Sequence, residues 1–126
     1  MDSILDTIKK ELGLEADYLH FDTDIVNAIN GAFYILWTLG IGPTEPFRIE
    51  DRTSVWSDFA DPGLSDLARW DIALRVRLVF DPPSNSALIE NIRKSIDEYE
   101  FRMMVESENP KLPDYDMSNV YTTLEN

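Results

Sequence analysis

The chain has 126 residues, which predicts one domain with one core, and its 44% hydrophobic content excludes a wholly disordered protein. The absence of cysteine excludes disulfides and thiolate metal sites, and a net charge of −13 disfavours tight binding to the phosphates of DNA or RNA. The longest apolar run, residues 32–39, is too short to span a bilayer, and no signal peptide is recognisable, so we expect neither a membrane protein nor an exported one.

Two amphipathic helices are predicted in the first third of the chain. Apolar residues recur at helical spacing over residues 3–12, and Gly13 then supplies a C-cap, which predicts a short first helix. A second helix is predicted from residue 22, because residues 22–24 offer an N-cap and place acidic side chains in the first turn. Glycines and a proline at residues 40–43 end this helix.

The middle of the chain combines a strand pattern and a helix pattern. Apolar residues on both sides of the polar turn at residues 50–53 predict a short β-hairpin within residues 46–59. A third helix is predicted over residues 64–80, although residues 72–80 also alternate as a strand would, because the length favours a helix. This helix has two apolar faces, and its second face is covered either by its own bundle or by a neighbouring subunit.

The last third predicts one more helix and a tail. Prolines at 82 and 83 end the third helix. A single apolar stripe then predicts a fourth helix over residues 86–105. Phe101 lies opposite that stripe and is either a lone exposed aromatic or a partner contact. From residue 107 the chain is acidic and proline-containing, typical of either a frayed terminus or a segment that orders when it docks on another chain.

Together these elements predict a mainly α fold. It comprises a bundle of about four helices with a short β-hairpin between helices 2 and 3, which forms a helical domain over residues 1–106. An extended acidic C-terminal tail over residues 107–126 follows it.

No catalytic constellation is recognisable. His20 precedes Asp22, but no nucleophile accompanies them, so we expect a structural role for the histidine. Asp22 and Asp24 offer too few oxygens at calcium-loop spacing, and helix capping explains both. Residues 40–43 lack the lysine of a phosphate-binding loop. We therefore predict a protein that is not an enzyme, with no catalytic, cofactor-binding or metal-binding residues and no cofactor.

Several short motifs follow one another between residues 2 and 105. In order they are Ile8-Lys9-Lys10, Leu12-Gly13-Leu14, Phe21-Asp22, Asp24-Ile25, Leu39-Gly40-Ile41-Gly42-Pro43, Trp56 with Phe59, and Arg75-Val76-Arg77-Leu78-Val79-Phe80-Asp81-Pro82-Pro83. Their order and the compact length resemble the small head-tail connector, or head-completion adaptor, proteins of tailed bacteriophages.

This resemblance implies a virion structural protein with several partners. Such a protein docks as a ring, here of about twelve subunits, beneath the portal protein. A tail-side stopper or tail-completion protein lies below it, and DNA passes through the ring without sequence-specific binding. The resemblance places the protein in the neck region of the virion, and in the host cytoplasm during assembly, with no membrane partner.

Candidate interface residues lie on the third and fourth helices and in the tail. They are apolar or basic side chains in positions that a neighbouring chain can cover: Trp70, Ile72, Arg75, Val76, Val79, Phe101, Leu112, Tyr115, Met117, Val120 and Tyr121. The alternative function is a small acidic inhibitor that mimics nucleic acid and blocks a basic site on a host protein. That alternative requires the acids to form one continuous surface, whereas they are spread over helix ends, loops and tail.

Overall fold

The computed structural model describes residues 2–108, which form five helices. Their bounds are Ile4–Glu11 for α1, Asp22–Thr38 for α2, Trp56–Phe59 for α3, Pro62–Phe80 for α4 and Ser86–Glu108 for α5. The four predicted helices correspond to α1, α2, α4 and α5, so the mainly helical fold class is confirmed. The segment predicted as a third helix is helical throughout, and α5 continues three residues beyond the predicted end.

The longest buried segment, α4, lies at the centre of the bundle and packs on α1, α2, α3 and α5. Its residues Ala68, Ile72 and Val76 join one apolar cluster with the core side chains of α1 and α2. Those side chains are Ile4, Leu5, Ile8, Ile25, Ile29, Ala32, Phe33 and Leu36. The second apolar face of α4 is therefore covered at Ile72 and Val76 by the subunit itself. Complete burial of such a branched side chain contributes about 1.5–3 kcal/mol.

The predicted β-hairpin is wrong. Residues 46–55 are fully described and contain no strand, only one antiparallel bridge between Ser3 and Val55. The backbone N–H of Ile49 donates to Asn30 Oδ1 (2.8 Å), and Asn30 Nδ2 donates to the Ile49 carbonyl (2.9 Å). This buried side-chain amide of α2 supplies both hydrogen bonds that a neighbouring strand would otherwise supply, so Ile49 is buried without a second strand.

The aromatic residues of the predicted hairpin nevertheless reach the core. The single turn α3 buries Trp56 and Phe59, and Phe59 lies 4.9 Å from Phe33 and 5.5 Å from Phe47 between ring centroids. Gly42 has φ +97°, and a Cβ there would lie 2.6 Å from the Phe59 ring. The glycine therefore serves both the turn after α2 and the close packing of this aromatic group.

The ends of α1 follow the predicted signals, and the start of α2 does not. Ser3 Oγ accepts the backbone N–H of Asp6 (3.2 Å), and Gly13 follows α1 with φ +81°. At the start of α2 the N-cap residue is Phe21, with no side-chain hydrogen bond, so the predicted capping role of Asp22 and Asp24 is wrong. Both acids lie within the first turn, which confirms the other part of the prediction, and negative charge there suits the helix dipole.

Candidate protein-interaction surfaces

A groove runs over the second half of α4. Because α2 and α5 pack mainly on α4 rather than on each other, they leave between them an open cleft of about 630 Å³. Its apolar lining consists of Ala28, Gly31 and Ile35 from α2, Leu78 and Val79 from α4, and Ile96 from α5. Charged residues of α5, such as Arg93 and Asp97, form one side of the groove. An apolar centre with a charged rim is the usual composition of protein interfaces.

A buried ion network holds α5 against α4 beside this groove. Arg75 donates from Nε to Asp71 (2.8 Å) and from Nη2 to Glu100 of α5 (2.5 Å). Asp71 is fully buried, and its Oδ1 has no hydrogen-bond partner within residues 2–108. Burial raises the pKa of Asp71 to about 6, against the opposing effect of the Arg75 charge. The predicted interface residue Arg75 therefore pairs within the subunit and fixes one wall of the groove.

Three of the predicted interface residues are exposed. Val79 is 77% exposed, Phe101 67% and Trp70 41%. The centroid of the Trp70 ring lies 6.0 Å from that of Tyr99 and 5.8 Å from the guanidinium of Arg69. The subunit therefore contacts part of the Trp70 ring, and the rest is exposed to solvent. Because these three side chains are exposed to solvent in the isolated subunit, their burial by a partner would contribute favourable free energy to binding.

The remaining predicted interface residues are either buried in the subunit or lie outside the described residues. Ile72 and Val76 are buried in the core of the subunit. The tail residues lie outside the described range, and they are Leu112, Tyr115, Met117, Val120 and Tyr121. Among the exposed apolar residues of 2–108 that the sequence pattern does not single out, Ile35 lines the groove; it is 42% exposed and lies one turn from Gly31 on α2.

Lys9 is a fully buried cation that holds the loop between α1 and α2. Its Nζ donates to the carbonyls of Ala16 (3.0 Å) and Tyr18 (2.6 Å) and lies 2.7 Å from Asp22 Oδ1. The sequence offers one signal for this role, because Lys9 lies one turn after Leu5 and hence beside the apolar stripe of α1. This ammonium group therefore ties the loop to both α1 and the first turn of α2, and Arg52 adds a second donor to the Ala16 carbonyl.

The loop that contains His20 is aromatic rather than catalytic in character. The His20 ring packs edge-on to Phe21 at 4.6 Å between centroids and lies 6.2 Å from the ring of Tyr18. Within residues 2–108, no group of three or more histidine, cysteine, aspartate or glutamate side chains is placed to hold a metal ion. No helix in the same range has both the length and the apolarity needed to cross a membrane.

Six of the acidic side chains in residues 2–108 pair with basic side chains of the same subunit. Those that form ion pairs with lysine or arginine are Asp6, Asp22, Asp66, Asp71, Glu98 and Glu100. These acids belong to four different helices, and each has a basic side chain next to it. This arrangement differs from the continuous acidic face that a mimic of nucleic acid requires.

Comparison with known proteins adds one match. The model of a family described as phage connector protein matches residues 4–110, which include all five helices. No curated protein and no solved structure matches the chain.

Proposed function

Because the chain belongs to the phage connector protein family, we propose that it is a head-tail connector that docks as a ring beneath the portal and joins the DNA-filled head to the tail. Membership in this family supports a structural role in a phage virion. The proposal adds the place of the protein in the neck region and the partners on either side of it: a portal protein above, and a tail-side stopper or tail-completion protein below.

The observation that carries the proposal is the uncovered apolar surface of α2, α4 and α5. Val79, Phe101 and Trp70 are exposed, and the groove between α2 and α5 is lined by apolar side chains. Exposed apolar surface of this kind on a folded subunit marks contacts with other proteins. A structural connector is defined by such contacts, which supports an assembly role for this surface.

A ring follows from how such a surface is used. The groove and the exposed Phe101 are different patches of one subunit, and contact between unlike patches propagates from copy to copy and closes when the rotation allows. We propose a closed ring on that principle, with the number of about twelve subunits taken from the resemblance to head-tail connectors. The net charge of −13 fits a lumen that does not hold phosphates, so DNA passes without sequence-specific binding.

The test is the mass of the assembled protein in solution. We expect light scattering to give a discrete ring-sized particle for the full chain, either alone or after addition of the portal protein of the same phage. The variant Phe101→Ser should weaken this assembly at least tenfold, because loss of a central aromatic anchor costs about 2 kcal/mol or more. Lys10→Ser, at an exposed position of α1, is the matched control and should assemble as the native chain does.

A different result would replace the proposal. If the chain stays monomeric in the presence of portal protein, the connector role at the neck is wrong. If that monomer also displaces DNA from a basic host protein, the acidic inhibitor is the better description.

A further inference from the structure

The starting observation is a glycine in the middle of α2. Gly31 has helical neighbours on both sides, yet an ideal Cβ built on it meets no atom within 4 Å. Glycine destabilises a helix interior, and no packing within residues 2–108 requires the missing side chain here. A glycine in such a place allows another chain to approach the helix backbone closely.

Gly31 forms part of the floor of the α2–α4–α5 groove. Ala28 and Ile35 lie one turn before and after it, and Val79 faces the same space from α4. Two small residues and two exposed apolar ones give a shallow strip that suits an extended segment with spaced apolar side chains. The groove has nothing in it within residues 2–108, and its charged rim carries both signs, with Arg93 and Asp97 on α5.

The chain itself contains a segment of this composition. Residues 109–126 carry spaced apolar side chains, which are Leu112, Tyr115, Met117, Val120, Tyr121 and Leu124. The family match ends at residue 110, so membership in the family does not account for them. At about 3.3 Å per residue, residues 109–121 can reach roughly 40 Å, enough to pass from one subunit to the next.

We propose that residues 112–121 of one copy dock in the α2–α4–α5 groove of a neighbouring copy. This inference rests on the proposed function, because it names the contact by which the connector ring closes. The partner surface is a second copy of the same chain, and the contact is head-to-tail, which is the type that generates rings.

The position of the end of α5 favours a neighbouring copy over the same chain. Glu106 lies 3.5 Å from the Cβ position of Gly63, at the start of α4, whereas the groove lies over the second half of α4, from Arg75 onward. The chain after Glu108 therefore leaves α5 at the end of the bundle remote from the groove. To enter its own groove it would have to reverse direction after the end of α5, which favours the groove of a neighbouring copy as the docking place.

Chemical crosslinking tests the contact directly, since the native chain has no cysteine. Two full-length variants are mixed, a tagged Val79→Cys chain and an untagged Met117→Cys chain, and are treated with a short bismaleimide. We expect a crosslinked product that contains one tagged and one untagged chain. Lys10→Cys, at an exposed position on α1 outside the groove, replaces Val79→Cys as the control and should give at least tenfold less of that product.

A groove-filling variant gives independent evidence. Gly31→Trp places a large side chain in the groove without contact at its Cβ, so the subunit should keep its fold and unfolding midpoint. We expect the yield of the mixed crosslinked product and the amount of assembled protein each to fall at least tenfold. Thr23→Trp, at an exposed position of the same helix outside the groove, should leave both unchanged.

Each outcome separates this inference from the proposed function. A yield of the mixed crosslink no higher than that of the Lys10→Cys control, or assembly of Gly31→Trp chains at the native level, would overturn the docking of the tail in a neighbour's groove. If rings still form or portal protein still binds in those experiments, the connector function stands. If the native chain neither assembles nor binds portal protein, the connector function fails and the tail contact fails with it.

Discussion

Replacement of Lys9 by methionine tests how strongly one buried cation holds the loop between α1 and α2. Methionine keeps an unbranched apolar stem of similar length and removes the ammonium group. The carbonyl of Tyr18 then loses its side-chain donor, the carbonyl of Ala16 keeps only Arg52 as a donor, and Asp22 loses a partner at 2.7 Å. The substitution therefore removes three polar contacts without opening a large cavity.

The magnitude follows from the exposure of the groups left behind. A buried carbonyl without a donor costs about 1–3 kcal/mol, but Ala16 and Tyr18 are exposed residues, so water can reach them and the cost is near the lower limit. The Asp22 side chain is 25% exposed, so loss of its ion pair costs less than the ~3–5 kcal/mol of a fully buried pair. We expect Lys9→Met to lower the free energy of unfolding by about 3 kcal/mol.

Urea unfolding followed by tryptophan fluorescence measures this change. Lys10→Met is the matched control, because Lys10 is the exposed neighbour on the same helix and its replacement should change stability by less than about 0.5 kcal/mol. A loss below about 1 kcal/mol for Lys9→Met, or equal losses for the two variants, would refute the structural role assigned to Lys9.

Three further changes test other parts of the structure. The pKa of Asp71 is raised to about 6, so the folded chain holds this proton more tightly than the unfolded chain does. The native chain should therefore gain stability relative to Asp71→Asn, which keeps an acceptor for Arg75, as pH falls from 7 to 4, by on the order of 3 kcal/mol at most; urea unfolding at both pH values checks the sign. Asn30→Ala should lower stability by about 2–4 kcal/mol, because it leaves the N–H and carbonyl of Ile49 buried without partners; a loss below about 1 kcal/mol would contradict this. Gly31→Ala should raise the thermal midpoint, with a gain of about 0.5–1 kcal/mol, and any loss of stability would show that the site has no free space.

The helices could be predicted from the sequence because each one places its apolar residues at helical spacing. The helix prediction for α4 is correct even though residues 72–80 also alternate as a strand would. A segment of this length can form all of its backbone hydrogen bonds within one helix. The hairpin could not be judged in the same way. Ile49 reads as a strand residue, but its hydrogen bonds come from Asn30, which lies 19 positions away in the chain and in a helix. A local pattern contains no information about such a partner.

For the candidate surface as well, some features could be predicted from the local sequence pattern and others could not. The exposed position of Phe101 follows from its place opposite the apolar stripe of α5. Val79 belongs to the same apolar face as Ile72 and Val76 and is exposed nonetheless, and the groove depends on how α2 and α5 are spaced over α4. Burial of Ile72 likewise depends on neighbours from other elements. Periodicity predicts which face of one helix is apolar, but it does not predict whether the subunit itself covers that face.

Residues that break a local rule therefore divide into two kinds. Lys9 in an apolar stripe and Asn30 in a buried helix face both violate the pattern, and the structure satisfies each within the subunit by named hydrogen bonds. Gly31 also violates the pattern, in the interior of a helix, and no contact within residues 2–108 compensates for it. Because natural sequences that break a local rule usually gain something elsewhere, we look for the compensation for Gly31 outside residues 2–108. In a protein that works by assembly, a neighbouring copy is the source of compensation that this reasoning favours.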